Sequence, residues 1–293
     1  MNDGTPKITQ PMINLYDEYT HLTLDRRRFM ESLTKLAGTA GAAAMIAPML
    51  AANSAKAAMV APEDARLKTS TVVWAGANGE MKGYMAMPAA ATGKLPAVIV
   101  VHENRGLNPH IQDVVRRVAL EGYVALGPDF LSPLGGTPAN EDTARDMFTK
   151  LDAAATAANG AATVAFLKGH ASSTGKVGAM GFCWGGGTVN DLATAAPDLK
   201  AGVAYYGRAP KAEDVGKIKA RMLLHYAGLD ERINAMIPAY EAALKAAGVS
   251  YALHVYDGVN HAFNNDTSEA RYNKAAADLA WSRTMALFKE ALA

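Results

Sequence analysis

Short, continuous apolar runs separated by helical stretches constrain the fold of this chain more than any other feature of its sequence. Runs of this kind are typical of strands buried on both faces of a sheet. They occupy residues 97–101, 123–126, 177–180, 201–206, 221–226 and 251–256. Helices are predicted over about 109–121, 141–168, 186–196, 234–247 and 268–291. Strand and helix in repetition predict an α/β fold, with a mostly parallel sheet and helices on both faces.

An antiparallel pair is expected to precede the parallel strands. The stretches 71–74 and 82–87 flank Asn78-Gly79, and an Asn-Gly pair is typical of a tight hairpin turn. Neither an internal repeat nor a linker-like composition interrupts the sequence that follows. Residues 58–293 are therefore predicted to form a single domain.

Residues 1–57 are predicted to be an export signal that takes no part in this fold. Arg26-Arg27-Arg28-Phe29-Met30 resembles the twin-arginine motif, and the Ala-rich stretch 36–50 is too short and mildly apolar for a stable membrane span. Ala55-Lys56-Ala57 has the small-x-small pattern of a signal-peptidase site. We expect a periplasmic chain beginning near Ala58, with the twin-arginine machinery as a partner. The alternative is a cytoplasmic protein with a disordered tail and a surface helix.

Composition narrows the classes of function. The 293 residues carry a formal net charge of +1, which gives no reason to expect nucleic acid or an anionic membrane as a partner. The chain has one cysteine, so an intramolecular disulfide is impossible. No His, Asp or Glu cluster in the sequence has recognisable ligand spacing, and neither a metal nor another cofactor is expected.

That single cysteine stands in a Gly-x-nucleophile-x-Gly pattern. Gly181-Phe182-Cys183-Trp184-Gly185 follows an apolar strand directly and opens a helix. The turn from strand to helix is so tight that a side chain at either glycine would clash. The dipole of the helix beginning at Trp184 favours a thiolate, and the N–H of Trp184 is free to bind an oxyanion. Cys183 is therefore predicted to be a nucleophile, with a buried structural cysteine as the alternative.

Such an elbow predicts the chain order nucleophile, acid, histidine. Asp230 follows the strand 221–226, and His261 follows the last strand, so both lie where strand carboxyl ends place catalytic groups. His102 is a rival histidine but precedes the elbow. Asp257 and Glu231 are rivals for the acid.

The predicted triad gives a definite chemistry. Cys183 attacks an acyl carbon and forms a thioester, which water then hydrolyses. His261 transfers the proton to the leaving alkoxide, and Asp230 fixes the tautomer of the histidine and supports its imidazolium.

With these residues the chain resembles the dienelactone hydrolase family, over essentially all of residues 69–291. The most specific pieces are Val101-His102-Glu103-Asn104-Arg105-Gly106, the stretch 181–186, Tyr205-Tyr206-Gly207, Asp230 and His261-Ala262-Phe263. The resemblance implies an α/β-hydrolase fold and cleavage of a small-molecule ester or lactone of the carboxymethylenebutenolidase type.

The resemblance also implies roles for two residues after the strand 97–101. A glutamate at the position of Glu103 faces the cysteine in the resting enzyme and can take its proton. Asn104 would offer a second oxyanion N–H alongside Trp184. The alternative for Glu103 is a loop carboxylate paired with Arg105.

The residues expected to bind a substrate carboxylate depart from the family pattern. Asn265 stands where the family has an arginine four residues after the histidine, and Arg145 is the nearest match to the arginine of the mid-chain helix. Arg208 is either an anion clamp or a solvated surface residue, and Arg105 is a further candidate. We therefore expect a neutral activated ester to be cleaved at least as well as an acidic lactone.

Two other functions compete with this hypothesis. One is a carboxylesterase, thioesterase or small-peptide hydrolase that uses the same triad. The other is a non-catalytic binding or redox-sensing protein, which a missing triad member or a second cysteine would indicate. A metal hydrolase is disfavoured because recognisable ligand spacing is lacking.

Overall fold

An eight-stranded sheet forms the centre of the protein in a computed structural model that describes residues 7–21, 24–51 and 58–293. The strands are β1 Leu67–Gly76, β2 Gly79–Pro88, β3 Leu95–Val101, β4 Val124–Asp129, β5 Ser173–Phe182, β6 Ala201–Tyr205, β7 Arg221–Ala227 and β8 Tyr251–Tyr256. The helices are α1 Gln10–Thr20, α2 Arg26–Ala37, α3 Ala40–Leu50, α4 Pro109–Leu120, α5 Glu141–Phe148, α6 Ala153–Gly169, α7 Trp184–Ala195, α8 Glu231–Asn234, α9 Ile237–Ala246 and α10 Lys274–Ala291. Short 3-10 turns cover Ser132–Leu134 and Ala212–Lys217.

The strand order is β1-β2-β4-β3-β5-β6-β7-β8. β1 and β2 form an antiparallel hairpin, and β2 also runs antiparallel to β4. All the remaining neighbours, from β4 through β3 to β8, are parallel. The predicted mostly parallel sheet with an antiparallel pair at its start is confirmed. The carboxyl ends of its parallel strands lie at one end of the sheet, and the predicted site residues follow the strands there.

Helices cover both faces of the sheet, as predicted. Because successive strand residues point to opposite faces, Val98 and Val100 of β3 pack with α4 and α10, and Ile99 and Val101 pack with α6, α7 and α9. These four side chains are fully buried. Burial on both sides explains why a central strand such as β3 appears in the sequence as an unbroken apolar run.

Two predicted helices have different bounds. The stretch 141–168 forms two helices instead of one, because Asp152 caps α6 by accepting a hydrogen bond from Ala155 N at 2.8 Å. The last helix was expected from residue 268 but begins at Lys274, with Asn273 as its N-cap. Turns fill the interval, with Ser268 N donating to Asn265 O at 3.0 Å. They keep this segment close to the end of the sheet where the site lies.

The N-terminal residues take part in the structure, contrary to expectation. Met12, Tyr16 and Tyr19 recur at the i, i+4, i+7 spacing of one helix face, and they are buried with Phe29 and other apolar residues of α2 and α3. This cluster lies against the main domain, where the Tyr19 hydroxyl donates to Asp142 Oδ1 at 3.0 Å. In this structure α1 to α3 therefore pack on the main domain, whereas residues 1–57 were expected to take no part in the fold.

Export itself stays a prediction. The expected cleavage site at residues 55–57 lies outside the described residues. Among the residues that are described, no single helix is long and apolar enough to cross a membrane. Helices α2 and α3 meet that requirement only as a pair, which is bent by 113°.

Candidate active site

Cys183 lies at the sharp turn between β5 and α7. Its backbone has φ 54° and ψ −115°, a strained conformation for a residue with a side chain. A Cβ added at Gly181 would lie 2.3 Å from Gly185 O, and one at Gly185 would lie 2.4 Å from His102 O. The two glycines of the sequence pattern are therefore required by backbone atoms on both sides of the turn.

The structure brings Asp230 and His261 together beside this turn. His261 Nδ1 lies 2.5 Å from Asp230 Oδ2, and each residue is only 5% exposed. A ring nitrogen of His261 and Cys183 Sγ lie within 4.8 Å of each other. His261 Nε2 has no hydrogen-bond partner among the described residues, which leaves it available to a reacting group.

Charges around Cys183 favour the thiolate. Burial alone would raise the pKa of the thiol, but the positive charges of His261 and His21 outweigh it and lower the pKa from 9.0 to about 6. Burial opposes protonation of His261, yet Asp17, Cys183 and Asp230 raise its pKa well above the ordinary value. These neighbouring charges thus favour a thiolate–imidazolium pair at neutral pH.

The residues that carry the predicted oxyanion donors line the same cavity as Cys183. Trp184 is the first residue of α7, so its N–H has no acceptor within the helix. Asn104 follows β3, and its side-chain Nδ2 donates to Thr20 O at 2.6 Å. Tyr206 also lies here: its ring centroid is 4.8 Å from that of His261, and its buried hydroxyl has no partner in the described part of the chain. Sequence analysis assigned no separate role to Tyr206.

Glu103 and Cys183 line one small cavity, but the carboxylate is held elsewhere. Asn265 Nδ2 donates to Glu103 Oε2 at 2.9 Å, and Thr267 Oγ1 donates to Asn265 Oδ1 at 2.6 Å. The proposed pairing of Glu103 with Arg105 is not seen. Arg105 is buried and its Nη1 donates to Asp142 Oδ1 at 3.2 Å.

A second cavity, of about 250 Å³, opens over Cys183 and His261. Three arginines line it, and each is engaged by a carboxylate. Arg145 Nη2 donates to Asp146 Oδ1 at 2.8 Å, and Arg208 pairs with Asp191. Arg232, which sequence analysis did not single out, lies 3.7 Å from a carboxylate oxygen of α1. The cavity is therefore polar at its rim without an unpaired guanidinium among these three.

Helix α1 supplies a histidine that sequence analysis missed. His21 follows α1, and its Nε2 lies 3.4 Å from Cys183 Sγ and 2.9 Å from Arg232 Nη2. Its ring packs edge-on against that of His261, with centroids 4.8 Å apart. The contact joins residues 162 positions apart, and no local pattern marks it. The i, i+4 spacing of Asp17 and His21 is a signal that could have suggested a pair on one helix face.

Comparison with known proteins places this site in a family. The family model for dienelactone hydrolases matches residues 81–292. The chain belongs to the dienelactone hydrolase family. That match covers the elbow, Asp230 and His261, but α1 to α3 lie outside it.

Individual members of the family agree with this assignment. A "Putative carboxymethylenebutenolidase" of Methylorubrum extorquens is 35% identical over 228 residues, which are 73% of this chain and 78% of that protein. The "Putative hydrolase fragment YghX" of Escherichia coli K12 is 57% identical over 75 residues, and the match spans 26% of this chain and 64% of the fragment. The crystal structure titled "Putative Dienelactone Hydrolase" from Klebsiella pneumoniae is 30% identical, with a TM-score of 0.69 over 76% of this chain and 99% of its own. This family member is accordingly a hydrolase of carboxylic esters or lactones.

The rival histidine has a structural place in this dienelactone hydrolase fold. His102 Nδ1 lies 2.7 Å from Glu103 O, and its Nε2 accepts from Phe130 N at 3.2 Å. The ring stacks on Trp184 with the planes 10° apart. Both ring nitrogens are thus satisfied, and burial lowers the pKa of His102. His102 supports the elbow from behind.

Two groups of side chains within the described residues have atoms suited to a metal ion. They are His21, Cys183 and His261, and Asp17, Asp230 and His261. Both contain His261, whose Nδ1 is already bonded to Asp230. Arg232 adds a positive charge 2.9 Å from His21 Nε2, which opposes a cation there. The arrangement suits acid–base chemistry better than metal binding.

Proposed function

We propose that this member of the dienelactone hydrolase family cleaves a carboxylic ester or lactone with Cys183 as nucleophile, His261 as acid–base and Asp230 as the partner of His261. One observation carries the proposal. The strained Cys183 turn brings a thiol beside a buried histidine whose other nitrogen lies 2.5 Å from a carboxylate.

Acylation begins from the thiolate. The Cys183 sulfur attacks the carbonyl carbon, and the N–H groups of Trp184 and Asn104 are proposed to bind the oxyanion that forms. As the intermediate collapses, the C–O bond to the leaving group breaks and His261 protonates the departing alkoxide. A thioester on Cys183 and a neutral His261 remain, with Asp230 holding the ring in position.

Deacylation returns the enzyme to its starting state. His261 Nε2 takes a proton from water, whose oxygen attacks the thioester carbon. The C–S bond then breaks, and the carboxylic acid leaves. Because the low pKa of Cys183 makes its thiolate a good leaving group, the same charges that prepare the nucleophile also favour this step.

The charge pattern of the cavity supports a neutral substrate. Arg145 and Arg208 are paired with Asp146 and Asp191, and Asn265 replaces a charged residue that would bind a carboxylate. A substrate carboxylate would have to displace one of these acidic partners. We therefore expect a neutral activated ester to be cleaved at least as well as an acidic lactone.

Glu103 has a weaker claim to its implied role. Its position on the cavity wall beside Cys183 supports proton exchange with the thiol. Its described hydrogen bond, however, goes to Asn265 at 2.9 Å. Proton acceptance by Glu103 in the resting enzyme stays a prediction.

Hydrolysis of p-nitrophenyl acetate and of a dienelactone tests the proposal. Reduced wild type, Cys183→Ala and Cys183→Ser are compared, and turnover should be lost in Cys183→Ala. The ratio of the two rates measures the preference for a neutral substrate. Full activity in Cys183→Ala, or no turnover of either substrate by the wild type, would refute the cysteine mechanism.

Export by the twin-arginine route is a separate proposal. It is supported by the motif at residues 26–30, whose first arginine is exposed to solvent. Fractionation of the native host should find the protein in the periplasm, and amino-terminal sequencing shows whether the chain has been cut near Ala58. Recovery from the cytoplasm alone would contradict export.

A further inference from the structure

We propose that His21 is a further catalytic residue, whose imidazolium holds the Cys183 thiolate, so that the end of α1 is part of the working active site. This inference rests on the proposed cysteine mechanism and adds a residue outside the segment that matches the family model. It also requires the enzyme to keep its N-terminal helices, because His21 precedes the predicted cleavage site.

The geometry puts His21 in direct contact with the reacting atom. His21 Nε2 is 3.4 Å from Cys183 Sγ, within hydrogen-bond range for sulfur. On the other side of the ring, His21 Nδ1 lies 2.7 Å from the Asp17 carbonyl oxygen and 3.4 Å from Asp17 Oδ2. Cys183 thus lies between two histidine–aspartate pairs, of which His261 with Asp230 is the second.

The groups facing His21 come from four parts of the chain. Asp17 is on the same helix, Cys183 is at the elbow, His261 follows β8, and Arg232 belongs to α8. Burial of His21 opposes its protonation, but Cys183 and Asp17 outweigh it and raise its pKa from 6.5 to about 9.

Arg232 opposes that protonation, because its Nη2 lies 2.9 Å from the nitrogen that would carry the proton. A carboxylate oxygen of Asp17 lies 3.7 Å from the same guanidinium nitrogen, so Arg232 can form an ion pair with Asp17 instead of donating to His21. When His21 is charged, Arg232 pairs with Asp17, and both cations remain beside anions. The thiolate, Asp17 and Asp230 then balance His21, His261 and Arg232.

Contacts at the end of α1 fix His21 in place without closing the site. The Thr20 carbonyl accepts from Asn104 Nδ2 at 2.6 Å, and the Arg145 guanidinium lies over the Tyr19 ring, 4.4 Å from its centroid. With these contacts made, Cys183 is still partly exposed and the 250 Å³ cavity over it stays open. His21 therefore lines the site and does not block access to Cys183.

The role of His21 is electrostatic, and its proton stays in place through the cycle. The thiolate beside it attacks the acyl carbon, His261 donates the proton to the leaving alkoxide, and the thiolate returns when water has cleaved the thioester. His21 stabilises the anion at the beginning and the end of this sequence.

The test compares full-length His21→Gln with wild type and with His170→Gln. His170 lies between α6 and the start of β5, whereas Cys183 follows the end of β5. It therefore serves as a matched control at the opposite end of the sheet. The rate of iodoacetamide alkylation is measured against pH, together with kcat/KM for p-nitrophenyl acetate. Loss of a cation beside the sulfur should raise the midpoint of alkylation by about one to two pH units. The loss of kcat/KM at pH 7, about two- to tenfold for that shift, should shrink towards pH 9 as the thiol ionises.

An unchanged alkylation midpoint and unchanged kcat/KM in His21→Gln would overturn the inference about His21. If Cys183→Ala lost activity in the same experiment, the cysteine mechanism itself would still stand. Full activity in Cys183→Ala would instead refute the mechanism on which the inference depends. Should His21→Gln fail to fold, Asp17→Asn provides the second test, since it removes the anion that keeps His21 charged. Its midpoint should also rise, and an unchanged midpoint would overturn the inference.

Discussion

Replacing Asp230 by asparagine should nearly abolish hydrolysis while leaving the site assembled. Asparagine keeps the size of the side chain but removes the charge that supports the His261 imidazolium. The Nδ1–Oδ2 contact is 2.5 Å and buried, which places the centres of the two charged groups roughly 4 Å apart. At an effective dielectric constant of about 20, two unit charges at that distance interact by roughly 4 kcal/mol. Each 1.36 kcal/mol is about tenfold in rate, so kcat should fall by about a thousandfold.

The assay is steady-state hydrolysis of p-nitrophenyl acetate, with Asp257→Asn as the control. Asp257 was an alternative candidate for the catalytic acid in the sequence analysis, but the structure shows it exposed to solvent. Asp257→Asn should retain activity within about twofold of wild type, as expected for an exposed residue away from the reacting atoms. A rate for Asp230→Asn within tenfold of wild type, or a larger loss in Asp257→Asn, would refute the assignment of the acid.

Three further predictions follow from the site. Because the pKa of Cys183 is lowered to about 6, kcat/KM should fall as the pH drops below about 6, where the thiolate is protonated; a profile flat from pH 7 to 5 would contradict this. Gly185→Ala should lower the free energy of unfolding by about 2–3 kcal/mol, measured in urea, because its methyl would meet the Val101 and His102 carbonyls, and an unchanged midpoint would be inconsistent with the packing. Glu103→Gln should keep most of the activity, because the wild-type carboxylate is held by Asn265, and a loss above a hundredfold would show instead that Glu103 exchanges a proton with the thiol.

The centre of the sheet could be predicted because strands β3 to β7 are buried on both faces. Each strand from β3 to β8 is an apolar run in the sequence, and the order of Cys183, Asp230 and His261 follows from where such strands end. The break between α5 and α6 was missed because Asp152 acts as a cap by a single side-chain hydrogen bond inside an otherwise helical pattern.

The contacts of His21 and Arg232 could not be found in the same way. His21 and Arg232 are 211 positions apart and meet only through tertiary packing, which leaves no periodic signal in either segment. The Ala-rich composition of α3 and the arginines of α2 indicated an export signal instead of a folded element. That composition is compatible with helices that bury Phe29 and Leu33 against their neighbours.

The ion pair between Arg26 and Asp142 bears on how a folded chain could be recognised for transport. Arg26 Nη1 lies 2.8 Å from Asp142 Oδ2, but the arginine side chain is 73% exposed. Surface ion pairs of this kind contribute at most about 1 kcal/mol, so a receptor that binds the guanidinium displaces Asp142 at little cost. In the folded protein, Arg26, the first arginine of the predicted motif, therefore remains accessible to a binding partner. A transport route that accepts folded proteins would meet no steric barrier at this residue.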